Sequence, residues 1–347
     1  MIRGEADRQA DVVRLLEASR EVYARRAELA PDIVASSGLS PQGVLLGFES
    51  LERAASAADL RALVAAAGDA PCVHVILSAN VFVAPLRALA VARAAASNVT
   101  VRPSRRDPWL ARALVAAAAD PALVLAERAD VSAIARGEIH VYGRRETIAA
   151  VRSMARPGVR VRGHGPGIGI AVVTRAGNLA SCAAELARDV AVFDQRGCLS
   201  PRAVAVEGGI DRARALAEAL HAAFEALQAL VPLGEVAPAE RAQAASWRDA
   251  MAFAGGVWSS EHHAVGLAAR GGLWAIPPPG RNVSVIPLDS LSGLRAELGP
   301  FASEVTAIGS DAPAQVGPFA PSHVRLSTLG EMQRPPLDGP VDRRKNE

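Results

Sequence analysis

The segment FDQRGCLSP (193–201) places one thiol, Cys198, directly after a glycine and three residues before a proline. A cysteine used for packing sits in an apolar run. Cys72 in PCVHVIL (71–77) and Cys182 in LASCAAELA (179–187) fit that description. Cys198 instead follows Asp194, Gln195 and Arg196 in a polar, kinked setting. A reactive thiolate needs exposure, nearby positive charge or backbone donors, and a sharp local turn, so Cys198 is a candidate nucleophile, although a lone cysteine is more often structural. Other chemistry fits less well. Neither Cys72 with His74 nor Glu261-His262-His263 supplies a tetrahedral metal set at ligand spacing. The run GPGIG (165–169) lacks the lysine and serine of a phosphate-binding loop.

The elements that must position this thiol follow from periodicity. CVHVIL (72–77), NVTVRPS (98–104), IHVYG (139–143) and VRVRGHG (159–165) read as strands, alternating with alanine-rich helical runs at 83–97, 108–120 and 146–155. Strands and helices alternating in this way predict βαβ units and a parallel sheet covered on both faces. Such sheets bind ligands beyond the carboxyl ends of their strands, where Asn80, Arg102 and Gly143 fall. Past residue 165 a second α/β unit begins with GIGIAVVT (167–174) as a strand and 179–193 as a helix. After the cysteine turn come the strand RAVAVEG (202–208), a long amphipathic helix at 211–230, and strands LWAIPPP (273–279), NVSVIPLDS (282–290) and ASEVTAIG (302–309). The expected division is a cofactor-binding domain with N-terminal helices at 1–165, a catalytic domain at 166–325, and a polar, proline-rich tail at 326–347 with little order at its end.

Composition excludes several classes. The 347 residues are 50% hydrophobic and 21% charged, enough to bury a sizeable core. A net charge of +2 with scattered basic residues gives no footprint for nucleic acid. The longest apolar stretches are broken by Arg, Asp and Pro, so no membrane span is expected. Three cysteines without a CxxC pair, and an N-terminus carrying both signs of charge, point to a reduced, cytoplasmic protein.

Four segments occur in order: SANVFVAPLRALAVA (78–92), NVTVRPSRRDP (98–108), VYGRRETIAAVR (141–152) leading to GHGPG (163–167), and DQRGCLSPRAVAVEG (194–208). Together they resemble the aldehyde dehydrogenase superfamily, and most closely its LuxC-type acyl-CoA (fatty-acid) reductase branch. The resemblance runs from about residue 70 to about 310. It implies an aldehyde-dehydrogenase-like α/β fold, with a Rossmann-like cofactor domain and an α/β catalytic domain. It implies Cys198 as the nucleophile that takes the acyl group from a thioester, and reduction of the acyl-enzyme by NADPH to a fatty or related aldehyde. By the same match, Asn80 donates to the oxyanion, although an asparagine there also suits a helix N-cap. Arg102 and Ser104 lie beside the adenosine ribose, and Gly143 forms the turn near the diphosphate, although an ordinary strand-ending turn also suits it. Where NAD-preferring members commonly carry a glutamate this chain has Arg105, which would reach a 2′-phosphate or simply solvate the loop.

One departure is informative. Hydrolytic members carry a glutamate before paired glycines, whereas this chain has RGHGPG (162–167) and no carboxylate there. That favours a reductase, or a CoA-acylating enzyme, over an acid-forming dehydrogenase. His164 could act as an acid, or serve only as a turn residue. The superfamily's nicotinamide-ribose glutamate has no match near PPPGRN (277–282). The resemblance implies an acyl-CoA or acyl-carrier thioester as partner, and is compatible with a homo-oligomer or an acyl-transfer partner protein. Alternatives are an acyl-phosphate reductase on the same fold, or a non-redox acyl-carrier or acyltransferase subunit holding the acyl group on Cys198.

Overall fold

Short β-branched runs pair into two sheets, one parallel and one parallel apart from an edge pair, and the alanine-rich runs between them become the helices that cover those sheets. The computed structural model describes residues 3–51, 54–268 and 275–344. The chain divides into two compact units. One comprises Met1–Ser37, Gly47–Pro166 and Pro336–Glu347, and the other Gly38–Leu46 and Gly167–Pro335. Among the described residues no helix is long and apolar enough to cross a membrane.

The first unit begins with helices α1 (Glu5–Ala24), α2 (Arg26–Ser37), α3 (Pro41–Phe48, whose first turns group with the second unit) and α4 (Ala57–Ala67). Ser56 caps α4 in a reciprocal capping box with Asp59. The unit continues through β1 (Val73–Ile76), α5 (Ala84–Ala95), β2 (Val99–Arg102), α6 (Trp109–Ala118), β3 (Leu123–Leu125), β4 (Glu138–Tyr142), α7 (Arg145–Met154) and β5 (Arg160–His164). The strands form an all-parallel sheet in the order β3-β2-β1-β4-β5. The order reverses at β1 and β4, so a crevice opens beyond the carboxyl ends of these strands. Helix α5 is apolar nearly all round and buried along its length. Of its two arginines, the buried Arg93 is neutralised by Asp120 at 2.9 Å and Asp11 at 3.0 Å, and its guanidinium donates to the carbonyls of Ala96 and Ser97 past the helix end.

The second unit comprises β6 (Ile168–Val173), α8 (Leu179–Ala191), β7 (Pro201–Glu207), α9 (Ile210–Leu230), α10 (Pro238–Ala254), β8 (Gly256–Ser259), β9 (Ala264–Leu267), β10 (Asn282–Leu288), α11 (Leu294–Leu298), β11 (Val305–Ser310), α12 (Pro313–Val316) and β12 (Arg325–Thr328). Its described strands run in the order β12-β11-β6-β7-β10-β9-β8, parallel except for the β8–β9 edge pair. Alternation along β6 and β7 splits the core. Ala171, Val173, Val204 and Val206 face α8 and α9, whereas Ile170, Val172, Ala203 and Ala205 face α10 and α11.

Both units realise the expected alternation, with three differences. The strand expected at 273–279 is not formed at 275–279, where three consecutive prolines remove ladder donors; its first two residues lie outside the described residues. Helix α10 and strands β8, β9 and β12 were not expected. Strand β9 is four residues buried on both faces, so it shows no alternation, and its Gly266 leaves room for Met251. The segment read as a tail is tied down: β12 pairs with β11, and Arg87 donates to the carbonyls of Pro336 and Gly339. Residues 345–347 lie outside the described residues.

The connection after β12 is fastened to α8 by the buried Asp189, which accepts from the backbone N–H groups of Gly330 (2.7 Å) and Met332 (3.0 Å). Burial outweighs these bonds and pushes its carboxyl up from an ordinary 3.8 to about 7. The folded chain therefore holds this proton more tightly than the unfolded chain. The resulting stability is fully present below about pH 4 and is lost as the pH rises through about 7. Asp189→Asn should flatten the fall in melting temperature between these limits. Identical pH profiles for wild type and variant would contradict the assignment.

Candidate active site

Cys198 stands just ahead of β7, and the backbone leading to it is unusual. Phe193, Asp194 and Gln195 have φ values of 61°, 46° and 62°, three consecutive non-glycine residues in the left-handed region. Each such residue costs on the order of 1–3 kcal/mol and persists only where its surroundings dictate it. Here all three are buried and the two polar side chains are fully engaged. The Asp194 carboxylate pairs with the Arg281 guanidinium at 2.9 Å and accepts from the Gly234 N–H at 3.0 Å. The Gln195 amide donates to the carbonyls of Pro201 and Asn282, each at 2.8 Å, and its oxygen accepts from the Asn282 N–H at 2.9 Å. Arg281, itself at φ 61°, donates further to Gln228 and to the Val231 carbonyl. The chain thus reverses sharply and delivers Cys198 at the amino edge of the second unit's sheet.

Cys198 is half-buried, and its carbonyl accepts from the Thr306 hydroxyl of β11. Gly169 on β6 lies under the same segment. A Cβ there would meet the Leu199 carbonyl oxygen at 2.3 Å, so only glycine lets this backbone approach. Ser200 is fully buried with an unpartnered Oγ. Cys182 is buried in α8 and burial pushes its thiol up to about 11, an inert core residue as expected. Cys72 departs from expectation. It is half-buried, its thiol donates to the Arg136 carbonyl at 3.4 Å, and it lines a cavity instead of the core.

In the first unit the other candidates gather at the carboxyl edge of the sheet. Asn80 is exposed in the β1–α5 connection. Helix α5 is capped at Val83 without a side-chain hydrogen bond, so Asn80 is not its N-cap. Arg102 ends β2, and the Ser104 hydroxyl accepts from the Arg106 N–H. Arg106 donates to the Ala79 carbonyl at 3.1 Å, tying this loop to the one that carries Asn80. Arg105 beside it is exposed and makes no ion pair or side-chain hydrogen bond to a described residue. Gly143 follows β4, where a Cβ would make only ordinary contacts with Thr147, from 3.5 Å outward. Arg102 also lines a cavity of about 420 Å³ with His74, Thr100, Arg128 and Arg136. Arg128 and Arg136 come from the irregular β3–β4 connection, which has no periodicity to mark it.

His164 ends β5 and stacks on Tyr142, with ring centroids 4.3 Å apart. Burial pushes its imidazole down to about 3, and its Nε2 has no hydrogen-bond partner. Burial therefore favours the neutral ring over the imidazolium. The carboxylate that acts on this ring is Asp342, which is paired with Arg344 at 2.7 Å, whereas Glu138 lies at the other end of β4. Burial opposes the charge of Glu138, but hydrogen bonds from His140 and Arg162 win and hold it below the usual range.

These observations define an aldehyde-dehydrogenase-like α/β fold. An NAD-dependent benzaldehyde dehydrogenase from Corynebacterium glutamicum superposes with a TM-score of 0.65 at 15% identity, over 96% of this chain and 83% of that one. A gamma-glutamyl-gamma-aminobutyraldehyde dehydrogenase from Burkholderia cenocepacia J2315 gives 0.67 at 15% identity, over 92% and 76%. The NADP-dependent glyceraldehyde-3-phosphate dehydrogenase from Bacillus halodurans C-125, solved with NADP, gives 0.65 at 13%, over 94% and 79%. No curated protein matches the sequence significantly. The profile described as acyl-CoA reductase (LuxC) matches residues 61–301, and the chain belongs to that family. It is accordingly an oxidoreductase of the acyl-reductase and aldehyde-dehydrogenase type.

Asp194→Ala should test what holds the cysteine turn. It strands a buried guanidinium and should cost about 3–5 kcal/mol in urea denaturation. A loss under about 1 kcal/mol, within the range of an ordinary surface substitution, would show that the turn is held by something else.

Proposed function

We propose that the chain is an NADPH-dependent acyl-thioester reductase in which Cys198 carries the acyl group. One observation carries this reading: within the segment matched by the acyl-CoA reductase profile, a buried polar network holds three left-handed residues so that a half-buried cysteine is presented. The Cys198 thiolate attacks the thioester carbonyl, a C–S bond forms, and the CoA or carrier thiolate leaves. Asn80 donates its amide to the oxyanion of the tetrahedral intermediate, a role supported by its exposure and by the absence of a capping bond. A nicotinamide cofactor, when bound, supplies the hydride. Cys198 then departs as thiolate from the reduced carbon, which becomes the aldehyde.

The first unit's residues suit such a cofactor. A Cβ at Gly143 would meet only Thr147 at ordinary contact distance, so the fold itself does not require glycine there, which supports a role beside the cofactor diphosphate. Arg102 and Ser104 stand at the carboxyl edge beside β2 and would hold the adenosine ribose. Arg105, with its guanidinium uncommitted, would pair with a 2′-phosphate. The lack of a carboxylate in RGHGPG favours reduction over release of the acid.

Purified protein should oxidise NADPH in the presence of acyl-CoAs, screened over several chain lengths. Cys198→Ala should abolish that oxidation while leaving the circular dichroism spectrum unchanged, and Asn80→Ala should lower turnover roughly 10²–10³-fold with its melting temperature kept. Full turnover in either variant would remove that residue from the mechanism. Acyl transfer without NADPH oxidation would instead identify a non-redox acyl carrier.

Cofactor choice is separately testable. Arg105→Glu should weaken NADPH by about 1.5–3 kcal/mol, the value of a charged hydrogen bond, while sparing NADH. Equal losses for both cofactors, or a wild-type preference for NADH, would show that Arg105 does not contact the phosphate.

A further inference from the structure

Helix α9 and the β8–β9 turn bring together three side chains that the proposed reaction does not use. His221 and Glu225 stand four residues apart on α9, so both project from one helical face. His263 comes from the turn that leads into β9, is buried, and packs against the rings of Phe224 and His221. Donor atoms of the three residues all lie within 4.8 Å of one another. His221 Nδ1 and His263 Nε2 are 2.8 Å apart.

We propose that His221, Glu225 and His263 form a binding site for a divalent first-row transition ion of the Zn2+ class. Two imidazoles and a carboxylate are the donor set such ions take, with a fourth position left to water or another ligand. Zn–N bonds of about 2.0–2.1 Å place two nitrogens of one tetrahedral ion about 3.3 Å apart. The present nitrogens need to separate by only about half an ångström, and the two α9 side chains are free to adjust because both are at least partly exposed.

The outer contacts fit as well. The Ser260 hydroxyl lies 3.0 Å from His263 Nδ1. With Nδ1–H donating to Ser260, the Nε2 lone pair faces His221, which is how outer-shell partners orient metal-bound imidazoles. Ser260 is itself oriented by the His262 N–H, which donates to its Oγ at 3.2 Å. Without an ion, one imidazole N–H donates to the other nitrogen. When an ion binds, the His221 proton moves to Nε2, and both rings coordinate without a change in charge. The ion would cross-link α9 to the antiparallel edge of the sheet.

The sequence could not show this set. His263 is 42 residues from His221, and the visible run Glu261-His262-His263 contributes one ligand, not three. The site is independent of the reductase reading and stands or falls by metal binding alone.

The test uses the full chain, stripped with chelator and titrated with Zn2+ by calorimetry, and with Co2+ to follow its visible absorption. Wild type should bind one equivalent, and its melting temperature should rise with Zn2+ concentration. Because both residues are partly exposed, His221→Ala and Glu225→Gln should fold, and each should weaken binding at least tenfold. Ser260→Ala should weaken it by about 10–100-fold without changing the stoichiometry. Absence of saturable binding in wild type, or undiminished binding in the His221 and Glu225 variants, would overturn the proposal.

Discussion

The ion pair between Asp194 and Arg281 is the interaction on which the proposed chemistry depends. Both groups are almost wholly buried, and each completes its hydrogen bonding with backbone or amide partners. Burying an ion pair adds little to net stability compared with apolar packing. Its value here is conformational. A left-handed run through phenylalanine, aspartate and glutamine is unfavourable at every residue, and a network that would be left with unpaired buried charge by any other backbone path enforces it. The cysteine inherits its position from that constraint. Gln195 extends the clamp by joining the turn to the first residues of both β7 and β10.

Around this clamp the second unit has an ordinary parallel-sheet construction. Strands β6, β7 and β10 contribute apolar residues to the cores on both faces of the sheet, and helices cover each side. Such a scaffold is rigid because every backbone donor in the sheet interior is used and the side chains interlock. In the first unit the construction is similar but the output differs. The strand order reverses at β1 and β4, and exposed polar side chains collect at the carboxyl edge. Arg106 shows how the loops there are kept in register, since it spans from the β2–α6 connection to the Ala79 carbonyl.

Much of this architecture was legible in the sequence. Strands β1, β2, β4, β5, β6 and β7 and helices α5 to α9 announced themselves because β-branched runs alternate with alanine-rich ones. The polar cysteine turn stood out by contrast with its surroundings. Its left-handed geometry did not, because Phe193, Asp194 and Gln195 carry no glycine signal and the residue that pins them, Arg281, is 87 positions away. Strand β9 was hidden for a different reason, since four residues buried on both faces have no period to read. Cys72 looked like a core thiol because its neighbours are apolar, yet it precedes β1 and opens onto a cavity whose other walls come from β2 and the β3–β4 connection. Local pattern specifies elements. Contacts between distant segments decide which side chains are exposed.

The central claim is that Cys198 accepts an acyl group and keeps it until reduction. Intact-mass measurement followed by peptide mapping, after incubation with an acyl-CoA in the absence of nicotinamide cofactor, tests it directly. The account predicts a single acyl adduct on the peptide containing Cys198, discharged when NADPH is added. An adduct on Cys72 or Cys182, or no adduct under conditions where the protein is folded, would contradict it.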